Sequence, residues 1–199
     1  MKTIDPTPII LEGKIVRLEP LSLAHLDGLI AVGLDPELWR WTTSRARTPD
    51  AMRDYVEEAL AEQRAGTSLP FATAERESGR VIGSTRFGNI APAHRKVEIG
   101  WTWIARDRQR TPVNTEAKYL MLRHAFEVWE CVRVELKTSA LNEKSRRAIL
   151  RIGATEEGIL RQHMINADGS LRDTVYFSII DREWPAVKAR LETMLNETR

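Results

Sequence analysis

Apolar and polar residues alternate most cleanly in two stretches. These are residues 132–138, Val-Arg-Val-Glu-Leu-Lys-Thr, and residues 97–104, where Val97, Ile99, Trp101 and Trp103 recur at every second place. A period of two is that of a strand with one buried face. The same pattern predicts strands over 14–18, 71–76, 80–89, 159–165 and 174–180. Glu77-Ser78-Gly79 suits a tight hairpin between the second and third of these, and Asn166-Ala167-Asp168-Gly169 suits one between the last two.

Helical spacing takes over between the strands. It predicts a helix over 22–32 with Leu23, Leu26 and Ile30 on one face, ended by Asp35-Pro36. A second helix starts at Thr48, a capping residue followed by Pro49, and runs to Arg64. Over 115–130, Ala117, Leu120, Met121, Ala125 and Val128 form one face, which Leu122, Phe126 and Trp129 widen, so this helix packs on a sheet. Helices over 143–152, capped by Asn142, and from Asp181 to about residue 196 complete the set. Strand, two helices, three strands, helix, strand, helix, two strands, helix is the order of an α/β or α+β domain. The expectation is one domain over 1–199, with a mixed sheet, helices on both faces and a right-handed parallel crossover within 97–138.

Composition narrows the class. A formal charge of +2 gives no general nucleic-acid footprint, and no strand carries an aromatic RNA-binding motif, so nucleic acid is disfavoured as a partner. Cys131 is the only cysteine, which excludes an internal disulfide and suits a reducing cytoplasm. The first residues lack the apolar run of a secretion signal and no later stretch approaches membrane-spanning length, so a soluble protein with no membrane partner is expected. The four histidines are scattered with no pair at metal-ligand spacing, so no metal site is expected.

The chemistry points to residues 97–117, a strand, a basic loop and a helix start in succession. Arg106, Arg108 and Arg110 lie in the loop. The first N–H groups of a helix lack intrahelical partners and carry partial positive charge, so this arrangement can hold a phosphate or pyrophosphate. An ordinary strand-to-helix turn with solvated arginines has the same local pattern, because no glycine pair marks the loop. A second basic cluster runs from Lys144 to Arg151. Both clusters suit a small anionic ligand better than a long polyanion.

Several short motifs fall in a fixed order: Gly83, then Glu98-Ile99-Gly100-Trp101, then Gln109 with Thr115-Glu116-Ala117. Asn142 with Ser145, Gly153-Ala154 with Glu157-Gly158, and Asp173-Thr-Val-Tyr176-Phe-Ser178 follow. Together they resemble the GNAT superfamily of acyl-CoA-dependent N-acetyltransferases, in the RimJ/RimL-like branch named after ribosomal-protein N-terminal acetyltransferases, over residues 11–195. The resemblance implies a mostly antiparallel sheet with one splayed parallel pair. It also implies acetyl-CoA as cosubstrate and a primary amine as acceptor, either a small molecule or a protein N-terminus. A homodimer is compatible with it.

The family's pyrophosphate loop reads Gln or Arg, two residues, Gly, one residue, then Gly or Ala. Here Pro112 and Asn114 occupy the two small positions. Proline offers no N–H, so the cradle relies on the amides of Thr111, Val113, Asn114 and Thr115, beside Gln109, with help from Arg108 or Arg110. The resemblance assigns the acyl carbonyl and pantetheine arm to the backbone at Trp103 and Ile104. Asn142 fits both a hydrogen bond to that arm and the N-cap of its helix.

For the chemistry, Glu98 is the candidate general base, with a salt-bridged strand glutamate as the alternative. Ser145, in a first helical turn where the thiol should emerge, is a candidate catalytic group or a helix-start residue. Tyr176 is a candidate acid for the departing thiolate or a packing aromatic. Trp39, Trp41 and Arg45, with Arg40 and Arg47, fall where the resemblance puts the acceptor entrance; two tryptophans anchoring a loop is the competing reading. The leading function is acetyl-CoA-dependent N-acetylation of a primary amine. The rival is a non-catalytic acyl-CoA-binding or regulatory protein of the same fold.

Overall fold

The computed structural model describes residues 4–166 and 168–197. One eight-stranded sheet organises the chain, in the order β1-β2-β3-β4-β5-β6-β8-β7. Its strands are β1 (Leu11–Glu12), β2 (Val16–Pro20), β3 (Leu69–Glu75), β4 (Val81–Ala91), β5 (Lys96–Ile104), β6 (Arg133–Ser139), β7 (Thr155–Ile165) and β8 (Leu171–Ile180). All neighbours are antiparallel except β5 and β6, the crossover pair. The helices are α1 (Leu26–Gly33), α2 (Pro49–Arg64), α3 (Val113–Arg123), α4 (Glu143–Arg151) and α5 (Trp184–Glu197). The sheet has an apolar cluster on each face. One, with Leu21, Leu29, Trp39, Met52, Val56 and Trp103, fills the space under α1 and α2. The larger one, with Phe71, Phe87, Val97, Leu120, Met121 and Leu191, lies under α3 and α5.

Several element ends differ from expectation for identifiable reasons. The first strand begins at Val16, and the short β1, too brief to show a period, pairs with it. Residues 23–25 form a 3-10 turn before α1. The last hairpin is longer than the alternation suggested, because β7 carries bulges where Gly158 and Gln162 take positive φ and the period breaks. Ala167, in its turn, lies outside the described residues. Asp181 begins a 3-10 turn, and the Ile180 N–H donates to Glu183 Oε2 at 3.0 Å, so Glu183 and not Asp181 caps the entry to α5.

Two departures shape the site. Pro112 is the N-cap of α3, its carbonyl accepting from the Glu116 N–H at 2.9 Å, so the helix starts two residues earlier than expected. At the other end, residues 124–128 form a π turn in which the Trp129 N–H donates to the His124 carbonyl at 3.1 Å. The wider turn rotates the following residues. Val128, expected in the core, is 51 % exposed, while Trp129 is buried.

α3 is also locked to the sheet by a buried carboxylate. Glu116 accepts backbone N–H bonds from Lys14 at 2.9 Å and from Ile15 and Val16 at 2.7 Å each. Gly13 leaves the room: a Cβ there would come within 2.4 Å of the carboxylate. Glu116 therefore ties the start of α3 to the strand across the sheet, and its position in the Thr-Glu-Ala motif is structural.

Candidate active-site groove

β5 and β6 pair only through Lys96, Val97 and Glu98 against Arg133, Val134 and Glu135. Beyond Glu98 the two strands part. On its other side β5 is irregular too: Ser84 faces Trp103 while Arg86 faces Gly100, so β5 carries one extra residue, and Trp101 takes φ of 49°. The bulge inverts the expected alternation. Val97 and Ile99 point to the α3 side, whereas Trp103 joins the cluster under α1 and α2, and the Trp101 ring lies 5.0 Å from the Arg86 guanidinium. The split opens a groove of about 1020 Å³ that reaches from the start of α3 to the loop holding Trp39 and Trp41.

At the α3 end the groove is cationic. Val113, Asn114 and Thr115 are the first helical residues, the positions whose N–H groups lack intrahelical partners; only that of Val113 has a side-chain acceptor, Thr111 Oγ1 at 3.4 Å. Placing proline at the N-cap means its missing N–H removes no donor from this set. The two basic clusters of the sequence meet here. Arg151 Nη2 donates to Thr115 Oγ1 at 2.9 Å, and Lys144 Nζ donates to Gln109 Oε1, while Gln109 Nε2 donates to the Ile104 carbonyl at 3.0 Å. Glu75 and Asp107 engage Arg108, and Asp35 pairs with Arg106 at 3.6 Å. Among the described residues Arg110, Lys144 and Arg151 form no ion pair with an acidic side chain. Asn114 Oδ1 is buried without a hydrogen bond. Free helix amides and three unmatched cations fit a phosphorylated ligand such as CoA.

At the far end the groove holds a carboxylate. Glu98, 2 % exposed, accepts from Asn89 Nδ2 at 2.7 Å and pairs with Lys137 Nζ at 2.9 Å, both through Oε2. Its Oε1 lies over Gly100, where a Cβ would come within 2.8 Å. Trp39, Trp41, Tyr55 and Trp101 supply aromatic walls. Trp39 is fixed by Nε1 donating to the Gly33 carbonyl at 2.7 Å and by the Trp103 ring at 5.5 Å, so it is both an anchor and a wall. Arg172 closes this end. It is 8 % exposed, its Nη1 reaches the Trp41 carbonyl at 3.4 Å, and its Nε has no partner. Burial pulls its pKa below the usual guanidinium range, partly offset by Glu98 and Tyr176.

Between the two ends sits Lys118. Its Nζ donates to Thr102 Oγ1 at 2.6 Å, and Thr102 in turn shares a hydrogen bond with Thr85 at 2.7 Å. Burial lowers its pKa to about 7, with Glu98 pulling weakly the other way.

Most of the expected site residues meet in this groove. Glu98, Trp103, Ile104, Arg108, Gln109, Arg110, Thr111, Asn114, Thr115, Asn142, Ser145, Trp39 and Trp41 all line it. Asn142 spends Oδ1 on capping α4, accepting from the Ser145 N–H at 3.1 Å. Three residues stand apart. The Val113 side chain is buried in the core, so only its backbone faces the helix start. Arg45 is drawn to Asp168 at 4.0 Å. Tyr176 pairs with Lys137 across β6 and β8 and packs edge-on against His163 at 5.6 Å, off the groove wall. Lys118, Lys137 and Arg172 were missed. Each sits in a strand or helix with the signature of a solvated polar position, and only the packing of α3 against the split sheet brings all three to one space.

Among the described residues no helix is long and apolar enough to cross a membrane, and no three His, Cys, Asp or Glu side chains cluster as a metal site would require. Residues 16–155 match the acetyltransferase (GNAT) domain family. A relative from Bacillus subtilis (strain 168), named "Putative ribosomal N-acetyltransferase YdaF", is 36 % identical over 110 residues, 55 % of this chain. The match spans 59 % of that protein, so the chain covers less than two thirds of its length. In three dimensions the chain resembles a GCN5-related N-acetyltransferase from Brucella melitensis, with 34 % identity, a TM-score of 0.88, and coverage of 96 % of this chain and 87 % of that one. It shares its fold with Mycobacterium smegmatis RimJ, solved with CoA-disulfide, at 24 % identity, a TM-score of 0.79, and coverage of 98 % and 97 %. With more than half of its length inside the family match, and with the split parallel strands and basic helix start already in place, the chain belongs to the GNAT acetyltransferase family.

Proposed function

We propose that the protein transfers an acetyl group from acetyl-CoA to a primary amine. The observation that carries this reading is the groove itself. It joins a helix start with unmatched cations to a buried carboxylate through the opening between β5 and β6. The first end suits the phosphates of CoA and the second an amine. A pantetheine arm laid in the split would run past Trp103 and Ile104, along the part of β5 that has left β6.

In the reaction a neutral amine attacks the thioester carbonyl, a C–N bond forms and the C–S bond breaks. One proton leaves the nitrogen and one reaches the sulfur. Glu98 Oε1 is assigned the first proton, directly or through water, because Oε2 is occupied by Asn89 and Lys137. Ser145, on the first turn of α4, is assigned the second. Tyr176 stands off the groove wall and behind Lys137, which makes Ser145 the better thiolate acid. Positioning supplies much of the acceleration in such a transfer.

The Bacillus relative is named a ribosomal N-acetyltransferase, which favours a protein acceptor, and the open aromatic end of the groove admits either a peptide or a small amine. A thiol-release assay with acetyl-CoA against peptides, amino acids, polyamines and aminoglycosides tests the reading. Amine-dependent release supports it. Release no faster than background hydrolysis across the panel, with CoA binding intact, would leave an acyl-CoA-binding protein without transferase activity.

A further inference from the structure

The acceptor end of the groove is short of one negative charge. Among the described residues Glu98 is its one buried carboxylate, and Lys137 already pairs with it at 2.9 Å. Arg172 remains. Arg172 as a residue is nine-tenths buried, it forms no ion pair among the described residues, its Nε is buried and donates to nothing, and its Nη1 has only a long contact to the Trp41 carbonyl. A buried cation with unused donors is costly unless something anionic completes it, and a guanidinium fork matches a carboxylate in two parallel bonds. The same space is walled by Trp41 and Met164 and opens to the carboxylate assigned to the attacking amine.

We propose that the acceptor carries a carboxylate close to its amine, and that Arg172 binds it while Glu98 faces the amine. This rests on the acetyltransferase reading above and names its substrate class: an amino acid with a free α-carboxylate, or a peptide with an acidic side chain next to its N-terminus. The phosphates of CoA do not compete for Arg172, because Arg110, Lys144 and Arg151 wait for them at the opposite end of the groove. Arg172 is thus a specificity-determining residue. An acceptor lacking the carboxylate leaves it as unsatisfied as it is in the free protein.

The test compares isosteric pairs as acceptors: alanine against alaninamide for the α-carboxylate, and alanyl-glutamyl-glycinamide against alanyl-glutaminyl-glycinamide for the side chain. The carboxylate member of at least one pair should show kcat/KM about 10- to 100-fold above its amide twin. Which pair responds identifies the source of the carboxylate. Arg172→Gln should bring that ratio close to one by slowing the carboxylate member alone, and Arg172→Lys, which keeps the charge, should retain part of it. Calorimetric binding of the four compounds in the presence of CoA gives a second readout that needs no turnover. Preference for the carboxylate in binding, lost in Arg172→Gln, without acetylation of any acceptor would overturn the transferase reading and leave the carboxylate site standing. Equal behaviour within both pairs, or a preference that survives in Arg172→Gln, would overturn the proposal.

Discussion

Lys118 should make the stability of this protein rise with pH through the neutral and alkaline range. In the unfolded chain a lysine holds its proton to about pH 10.4. In the fold, burial lowers the Lys118 pKa to about 7. Between these values the unfolded state binds one more proton than the folded state, so stability increases with pH, by up to about 1.4 kcal/mol per unit. Below pH 7 the ammonium is charged in both states and the folded protein bears its full burial cost. From pH 6.5 to 9.0 the group alone should add about 2.5 kcal/mol of stability. Lys118→Met fills nearly the same volume without a charge. Thr102 keeps its bond to Thr85, so no orphaned hydroxyl offsets the change. Urea midpoints of the protein and the variant at the two pH values isolate this contribution, since other titrating groups cancel between them. Equal pH slopes in the two proteins would refute the reasoning and place an anion or water beside Nζ.

Three further outcomes follow from the geometry. Glu98→Gln should lower turnover about 10²-fold or more while leaving CoA affinity unchanged; undiminished turnover would return Glu98 to a structural role. Glu116→Gln breaks a carboxylate that accepts three backbone N–H bonds and should cost about 3 kcal/mol in chemical denaturation, so a loss well under about 1 kcal/mol would contradict the lock between α3 and β2. Pro112→Gly should lower the melting temperature and keep CoA affinity within about tenfold, because the free N–H groups begin at Val113; abolished binding would make the rigidity of the proline decisive.

The fold was largely legible because its elements are strongly periodic. The alternation over 132–138 and the start signals Thr48 and Pro49 were clear, and the structure holds β6 and α2 there. The order of motifs supplied the splayed sheet. What periodicity could not carry were the places where one extra residue changes the phase. The bulge at Trp101 sends Trp101 and Trp103 to the face of Glu98, and the π turn after Arg123 sends Val128 outward. In both, backbone geometry outweighs a local pattern that counts every residue alike. The basic end of the groove was readable because both arginine-rich clusters are contiguous in sequence. At the acceptor end Glu98, Trp39 and Trp41 were readable, but Lys137 and Arg172 were not, since they come from two further strands that only the register of the sheet brings beside Glu98.

The central claim is that a phosphorylated acyl carrier seats at the start of α3 and extends into the split between β5 and β6. Calorimetric titration of CoA into the intact protein and into the Arg110→Ala/Arg151→Ala variant tests it most directly. One saturable site per chain is expected, weakened about 10²-fold or more in the double variant at unchanged melting temperature. No binding to the intact protein, or equal affinity in a folded double variant, would contradict it.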